Sequence, residues 1–392
     1  MDKVYEAHEA EYNVRPQVVV ETPGRFHLIG EHSWFCRDKT LSMAVSLPVY
    51  VAISARDDAT VRFHFVQLGE RKKISLPSLR FRKEDRWANA IKAMLHGFSA
   101  GGYELRGMDI TVYTEILPSA GFGITTAIKV GSAVAVRALL DLRCSDAQLL
   151  QAVERGNKLF LNHEIPAADS YTALFSKRGC VVLTDYSANS YDLLPLRFEG
   201  KKLLLTDARV PRVITWDEES LRQSAHVLLL GELRERKESV YGGWRYKENQ
   251  TEVREVLGVV TETTRRRLLS VMREHKCVLE AQAAIAKGTF GPFARAVNTS
   301  HESMRDLYDI SCPEIDWLLK RLSMINPNLA DSRNPTSCGR ITGKGFGRCI
   351  YTFLPEADVP LFKAKLAEFE RIFGFRTSCH EVTAADGAHL VG

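Results

Sequence analysis

The sequence predicts an α+β protein built as two mixed domains, and three observations carry that expectation. The chain has 392 residues, more than one hydrophobic core comfortably serves. Short β-branched stretches alternate with longer helical patterns along most of its length. Three glycine-bearing segments interrupt that alternation where a strand hands over to a turn or a helix.

Taken in order, Val18-Val19-Val20-Glu21 and Val49-Tyr50-Val51-Ala52-Ile53 are short β-branched runs and read as strands. Asp109-Ile110-Thr111-Val112-Tyr113 alternates polar and apolar residues, the period of a half-buried strand. From Thr125 to Leu140 the chain is rich in Ala, Val and Leu with tiny residues at intervals, which suits a helix packed closely on a sheet. Cys180–Leu183 and Leu203–Thr206 are further strands. From Glu218 to about Lys287 the pattern is helical, with a polar interruption over Ser239 to Gln250 that contains two adjacent glycines. Pro313 to Leu322 reads as a helix and Ile350 to Leu354 as a strand. A boundary near residue 200 gives domains of 1–200 and 201–392.

Composition narrows the function. With 45% hydrophobic and 26% charged residues the chain is ordinary for a soluble globular protein. The net charge of +5 is diffuse, and the densest basic run, Arg265-Arg266-Arg267, reads as a solvated helix face, so nucleic acid is not an expected partner. The eight cysteines form no CxxC pair, which suggests neither a zinc site nor a redox dithiol. The N-terminus carries no charged-then-apolar leader and no apolar run approaches 18 residues. A reduced, cytoplasmic protein without a membrane partner is expected.

The first glycine segment is TPGRFHLIGEHSWFC, Thr22 to Cys36. Pro23-Gly24 breaks a strand and Gly30 allows a sharp turn. Arg25 can neutralise a phosphate oxygen through its planar fork, while Glu31 and His32 can hydrogen-bond a polyol. A turn with a surface salt bridge explains the same residues. The second segment is PSAGFGITTAIKV, Pro118 to Val130. N–H groups around Gly121, Phe122 and Gly123 can face one concavity, and a helix beginning near Thr125 adds its positive end there. Thr125 and Thr126 can cap that helix or offer a hydroxyl to phosphate-bound Mg²⁺. The third is CGRITGKGFGRCIYTF, Cys338 to Phe353, where Gly343, Gly345 and Gly347 allow close approach of another backbone or a ligand. Asp169 follows a proline-alanine turn and precedes an apolar stretch. It reads either as a helix N-cap or as a base for a hydroxyl nucleophile.

Together and in this order, the segments resemble the galactokinases, members of the GHMP family of small-molecule kinases. Thr22 to His32 resembles the galactokinase signature PGRVNLIGEHTDYN, and Trp87-Ala88-Asn89 the WANY that follows it. Pro118 to Ala127 resembles the GHMP phosphate loop PxxxGLSSSA, and Ser300 to Leu318 is similar to SHxSLRDDYEVSCPELDxL. Arg340 to Cys349 resembles RMTGGGFGGC, and the terminal TAADGAHLV matches xAADGAxxL. The resemblance implies a two-domain GHMP kinase fold, with a mixed α/β N-terminal domain holding the phosphate loop and a C-terminal domain of split βαβ, ferredoxin-like type. It implies an active site between them. It further implies ATP on Gly121, Phe122, Gly123, Ile124, Thr125 and Thr126, Mg²⁺ bridging the β- and γ-phosphates, and transfer to the anomeric hydroxyl of a hexose. Arg25 and Asp169 are then the catalytic pair. Asp169 takes the hydroxyl proton, while Arg25 lowers the hydroxyl pKa and stabilises transferred charge. A monomer acting on a sugar and ATP is the implied unit.

The departures fall on ligands. GEHTDYN reads GEHSWFC here, so Trp34 replaces the aspartate that binds sugar hydroxyls. Pro166 stands at the CGIMD glycine and offers no N–H. Glu219 stands at a family tyrosine. The family's metal-binding glutamate falls at Asn157, leaving Thr126 and Asn157 as the expected Mg²⁺ ligands, and Ile124 replaces a loop serine. Two functions follow: a hexose 1-kinase whose sugar has changed from galactose, or a weakened relative that senses sugar or nucleotide.

Overall fold

The computed structural model of the protein describes residues 1–32, 38–115, 121–163, 165–211, 258, 262–325, 334–343, 345 and 347–391. Trp34, Pro118, Glu219, Lys344 and the polar stretch within 231–250 lie outside them. The chain divides into two units, one of residues 1–26, 43–181 and 383–392, the other of residues 27–42 and 182–382. Residues 182–200, placed before the boundary on sequence grounds, group with the second unit.

The first unit is a mixed sheet with helices. Helix α1 (Asp2–Tyr12) buries Val4, His8 and Tyr12, one residue per turn. Strands β1 (Val18–Ile29) and β2 (Lys39–Ala55) contain the two β-branched runs and continue into the second unit. With β3 (Thr60–Phe65), β4 (Glu70–Ser75), β5 (Met108–Thr114) and the terminal β12 (His389–Leu390), the order is β12-β1-β2-β5-β3-β4. β2 and β5 run antiparallel from Val49↔Thr114 to Ala55↔Met108, while β3 and β5 run parallel. β5 is buried throughout, not half-buried as its alternation suggested, because it lies between two strands in the interior of the sheet. β4 closes the edge with alternating exposed residues that include Arg71 and Lys73, charges that discourage further pairing.

Helices α2 (Ala88–Ser99), α3 (Ile124–Leu139), α4 (Asp146–Arg155) and α5 (Ala167–Phe175) complete this unit, with α3 packed against α2, α4 and α5. Every residue of α3 from Thr126 to Val136 is buried. Its alanines, glycine and serine keep side-chain volume low and permit that close packing. The TAADGAHLV end returns here. Val20↔Leu390 and Glu21↔His389 add β12 to β1, and Asp386 Oδ1 accepts the Arg178 N–H at 2.9 Å.

The second unit contains an antiparallel sheet of β8 (Lys201–Asp207), β9 (Cys338–Ile341), β10 (Cys349–Pro355) and β11 (Ser378–Val382). The spatial order is β11-β8-β10-β9. Helices α6 (Glu262–Lys287), α7 (Phe290–Asp306) and α8 (Pro313–Ser323) lie between β8 and β9 in sequence, and α9 (Val359–Phe373) joins β10 to β11. Fourth strand beside first, and third beside second, is the split βαβ arrangement. Leu204, Ile350 and Leu354 of the sheet share a core with Leu318 and Leu322 of α8 and Phe362 and Phe369 of α9. Burying a residue of this kind is worth about 1.5–3 kcal/mol. β6 (Cys180–Asp185), which enters this unit at Val182, pairs with Lys39–Ser42 of β2 and with β7 (Ser190–Pro195). Of the basic run, Arg265 is exposed, while Arg266 and Arg267 are half-buried and Arg266 donates to the Asp306 carbonyl. No helix among the described residues is long and apolar enough to cross a membrane.

Candidate active site

The N-terminus of α3 is shaped by two glycines and one arginine. Gly121 (φ 86°) and Gly123 (φ 72°) hold left-handed backbone, and Gly123 is the N-cap of α3. The Arg25 N–H donates to the Phe122 carbonyl at 2.8 Å, tying β1 to the loop. A Cβ on Gly123 would lie 2.4 Å from Arg25 Cγ and 2.9 Å from the Arg25 carbonyl oxygen. The loop therefore closes onto Arg25 only through a residue without a side chain. Phe122 and Ile124 are buried and anchor it. No side chain caps α3, which corrects the expectation that Thr125 or Thr126 does so. Thr125 is exposed, and Thr126 points into the protein.

Thr126 meets the two residues singled out as a catalytic pair. The Arg25 guanidinium and the Asp169 carboxylate form a buried ion pair through Nη2 and Oδ2. Thr126 Oγ1 accepts from Arg25 Nη2 at 3.3 Å and donates to Asp169 Oδ2 at 3.4 Å. Pro166, not Asp169, is the N-cap of α5, and Asp169 sits in the first turn. There its charge complements the positive end of the helix. The carboxylate is thus held by a cation, a hydroxyl and a helix terminus, in a place 8% exposed.

A residue that the sequence reading passed over lies one turn further along α3. Lys129 is 5% exposed, and its Nζ donates to Oδ1 of Asn157, which is 1% exposed on the π-helical turn Gly156–Phe160. Burial pushes the Lys129 ammonium down to about 8, with Asp169 opposing the shift and Arg25 adding to it. Asn157 Nδ2 is buried without a hydrogen-bond partner among the described residues.

In the second unit, Glu31 Oε2 accepts the Gly343 N–H at 2.9 Å and the Thr342 hydroxyl at 3.4 Å. His32 is buried and lies against Tyr308, ring centroids 5.2 Å apart. Gly343 (φ 80°), Gly345 (φ 78°) and Gly347 (φ 96°) are all left-handed, and a Cβ on Gly345 would fall 2.8 Å from the Ile310 carbonyl oxygen. Beneath them Arg340, fully buried, donates to Ser300 Oγ at 2.7 Å and to Glu274 Oε2 at 3.2 Å. Glu274 also accepts the Gly30 N–H at 3.0 Å. The GEH and RITG motifs are therefore wired to each other.

Comparison with known proteins shows the family to which the chain belongs. The chain matches the galactokinase galactose-binding signature over residues 6–55 and the N-terminal domain of GHMP kinases over 87–177. It is 39% identical over 392 residues to a putative galactokinase of Treponema pallidum, covering 100% of this chain and 97% of that one. The chain belongs to the galactokinase family of GHMP kinases.

The chain is also 25% identical to the galactokinase of Thermotoga maritima, over 95% of this chain and 99% of that one. The fold is that of Lactococcus lactis galactokinase, solved with galactose, at a TM-score of 0.83 and 19% identity over 99% of both chains. Methanococcus jannaschii mevalonate kinase superposes at 0.62 with 16% identity, covering 94% of this chain and 98% of that one. Within the galactokinase-like chain, the sequence-predicted Arg25, Asp169, Thr126 and loop residues 121–125 gather in the first unit, with Asn157 joined to Lys129 beside them. Glu31, His32, Gly343, Gly345 and Gly347 belong to the second.

The family also carries an expectation of Mg²⁺ on Thr126 and Asn157, and the donors here do not suit a hard divalent ion. The Asn157 oxygen already faces an ammonium, and the Thr126 hydroxyl bridges Arg25 and Asp169. No group of three carboxylate, imidazole or thiol side chains able to hold a metal ion occurs among the described residues. A polar residue in the apolar register of α3 was the signal that could have exposed Lys129. The Arg340–Glu274 pair, 66 residues apart, left no local trace.

Proposed function

We propose that the protein transfers the γ-phosphoryl group of ATP to the anomeric hydroxyl of a hexose. The observation that carries this reading is the buried Arg25–Asp169–Thr126 cluster at the uncapped N-terminus of α3. ATP enters with Mg²⁺ on its own phosphates, and the N–H groups around Gly121 to Thr125 receive the phosphate oxygens, assisted by the helix end. Asp169 accepts the proton of the attacking hydroxyl, its acceptor oxygens fixed by Arg25 and Thr126. Arg25 stabilises the charge that gathers on the phosphoryl oxygens, where a fixed cation in a dry site is most effective. Glu31 and His32 are the proposed sugar ligands. Glu31 combines this role with its hold on Gly343, and Trp34 and Pro166 alter the hydroxyl pattern that is accepted.

ADP release from MgATP, measured over a panel of hexoses and uronic acids, tests the reading. At least one sugar is expected to raise ADP release well above the Asp169→Ala background. Sugar binding with no sugar-dependent ADP release would overturn it.

A further inference from the structure

Lys129 is a charged residue inside a helix whose other buried positions are small, apolar or hydroxylic. It lies three residues beyond Thr126, so both side chains emerge on the same face, one turn apart. Its contact partner is the neutral amide oxygen of Asn157. A buried ammonium facing a neutral acceptor is costly unless a negative charge completes it. Asp169, the carboxylate that acts on it, is already paired with Arg25. Among the described residues this cluster brings together two cations and one carboxylate, and the carboxylate bonds Arg25 rather than Lys129. Asn157 Nδ2 adds a donor with no partner among the described residues. Loop, helix end, ammonium and amide each favour an anion, and Lys129 is close enough to Asp169 and Arg25 to feel both charges.

We propose that Lys129, oriented by Asn157, is a further phosphate-binding residue of the ATP site. Its ammonium supplies a fixed charge where the family resemblance places a protein-held metal ion, and Thr126 and Asn157 are not metal ligands in this chain. The inference rests on residues 121–126 being the phosphate loop. It makes ATP binding largely independent of free Mg²⁺.

Calorimetric titration with ATP, in EDTA and in excess Mg²⁺, tests it on the wild type, Lys129→Met and Asn157→Glu. The wild type is expected to bind ATP in EDTA within about fivefold of its affinity in Mg²⁺, a difference under the ~1.4 kcal/mol of a tenfold change. Lys129→Met should weaken metal-free binding by about 10- to 100-fold, the range for losing a charge-assisted hydrogen bond. Asn157→Glu keeps the lysine but neutralises it, and should produce the same loss in EDTA with recovery in Mg²⁺. That variant decides the matter if Lys129→Met fails to fold. Metal-free affinity changed by less than about twofold in the folded variants overturns the proposal. So does Mn²⁺ bound to the nucleotide-free wild type, seen by electron paramagnetic resonance, that Asn157→Ala abolishes. A wild type that binds ATP in neither buffer overturns the phosphate-loop reading itself, and this inference with it.

Discussion

Replacing Gly123 by alanine separates two effects that usually travel together. The first is backbone strain, because a non-glycine residue at φ 72° costs about 1–2 kcal/mol. The second is steric, since the new Cβ would stand 2.4 Å from Arg25 Cγ and 2.9 Å from the Arg25 carbonyl oxygen. A rotamer change relieves the first contact but not the second, so Arg25 itself has to move. A shift of about 1 Å in a catalytic group costs on the order of a hundredfold in rate. Gly69 is the control, because it has φ 61° and nothing within 4 Å of its Cβ. Both alanine variants should lose about 1–2 kcal/mol of stability in urea unfolding. Only Gly123→Ala should also lose about a hundredfold in kcat for sugar-dependent ADP release, and Gly69→Ala should keep the wild-type value. Equal kcat values in the two variants would refute the claim that the loop positions Arg25.

Two further predictions concern stability. Arg340→Met strands the buried Glu274 carboxylate and should cost about 3–5 kcal/mol, while the double variant Arg340→Met, Glu274→Gln should recover much of that in denaturant titrations. An equal loss in both contradicts the ion-pair account. His8 is buried between Thr111 Oγ1 at 3.0 Å and Ser54 Oγ at 2.9 Å, and burial pushes its pKa from 6.5 down to about 4. The unfolded chain therefore gains a proton below about pH 6.5 that the folded unit refuses until about pH 4, so stability falls with pH across that window. Compared with His8→Gln, the wild type should lose about 2 kcal/mol more in unfolding free energy between pH 7 and pH 5. Parallel pH profiles would show that the His8 ring is not responsible.

Much of the fold was legible because local chemistry and final structure agree. The β-branched runs at 18–21 and 49–53 and the leucine run at 203–206 all lie within strands, and the alanine-rich stretch expected from Thr125 became α3 within a residue of that start. Motif order located Arg25 and Asp169, which the structure joins across 144 residues. What stayed hidden depends on distant partners. The Gly343 N–H occupies Glu31, a residue expected to face a polyol or to join a surface salt bridge, and the two are 312 residues apart. The cap of α5 moved from Asp169 to Pro166 because α5 begins at Ala167, before the apolar stretch that suggested its start. Lys129 breaks the apolar register of α3, but the partners that make it notable, Asn157 and Asp169, lie 28 and 40 residues away and leave no local pattern.

The central claim is that Asp169 and Arg25 act together on an anomeric hydroxyl. Phosphorus NMR of the product formed from MgATP and an accepted hexose tests it most directly, run on the wild type, Asp169→Asn and Arg25→Met. The account predicts a hexose 1-phosphate signal from the wild type and initial rates at least about a hundredfold lower in both variants. Phosphate on any other hydroxyl, or an undiminished rate in Asp169→Asn, would contradict it.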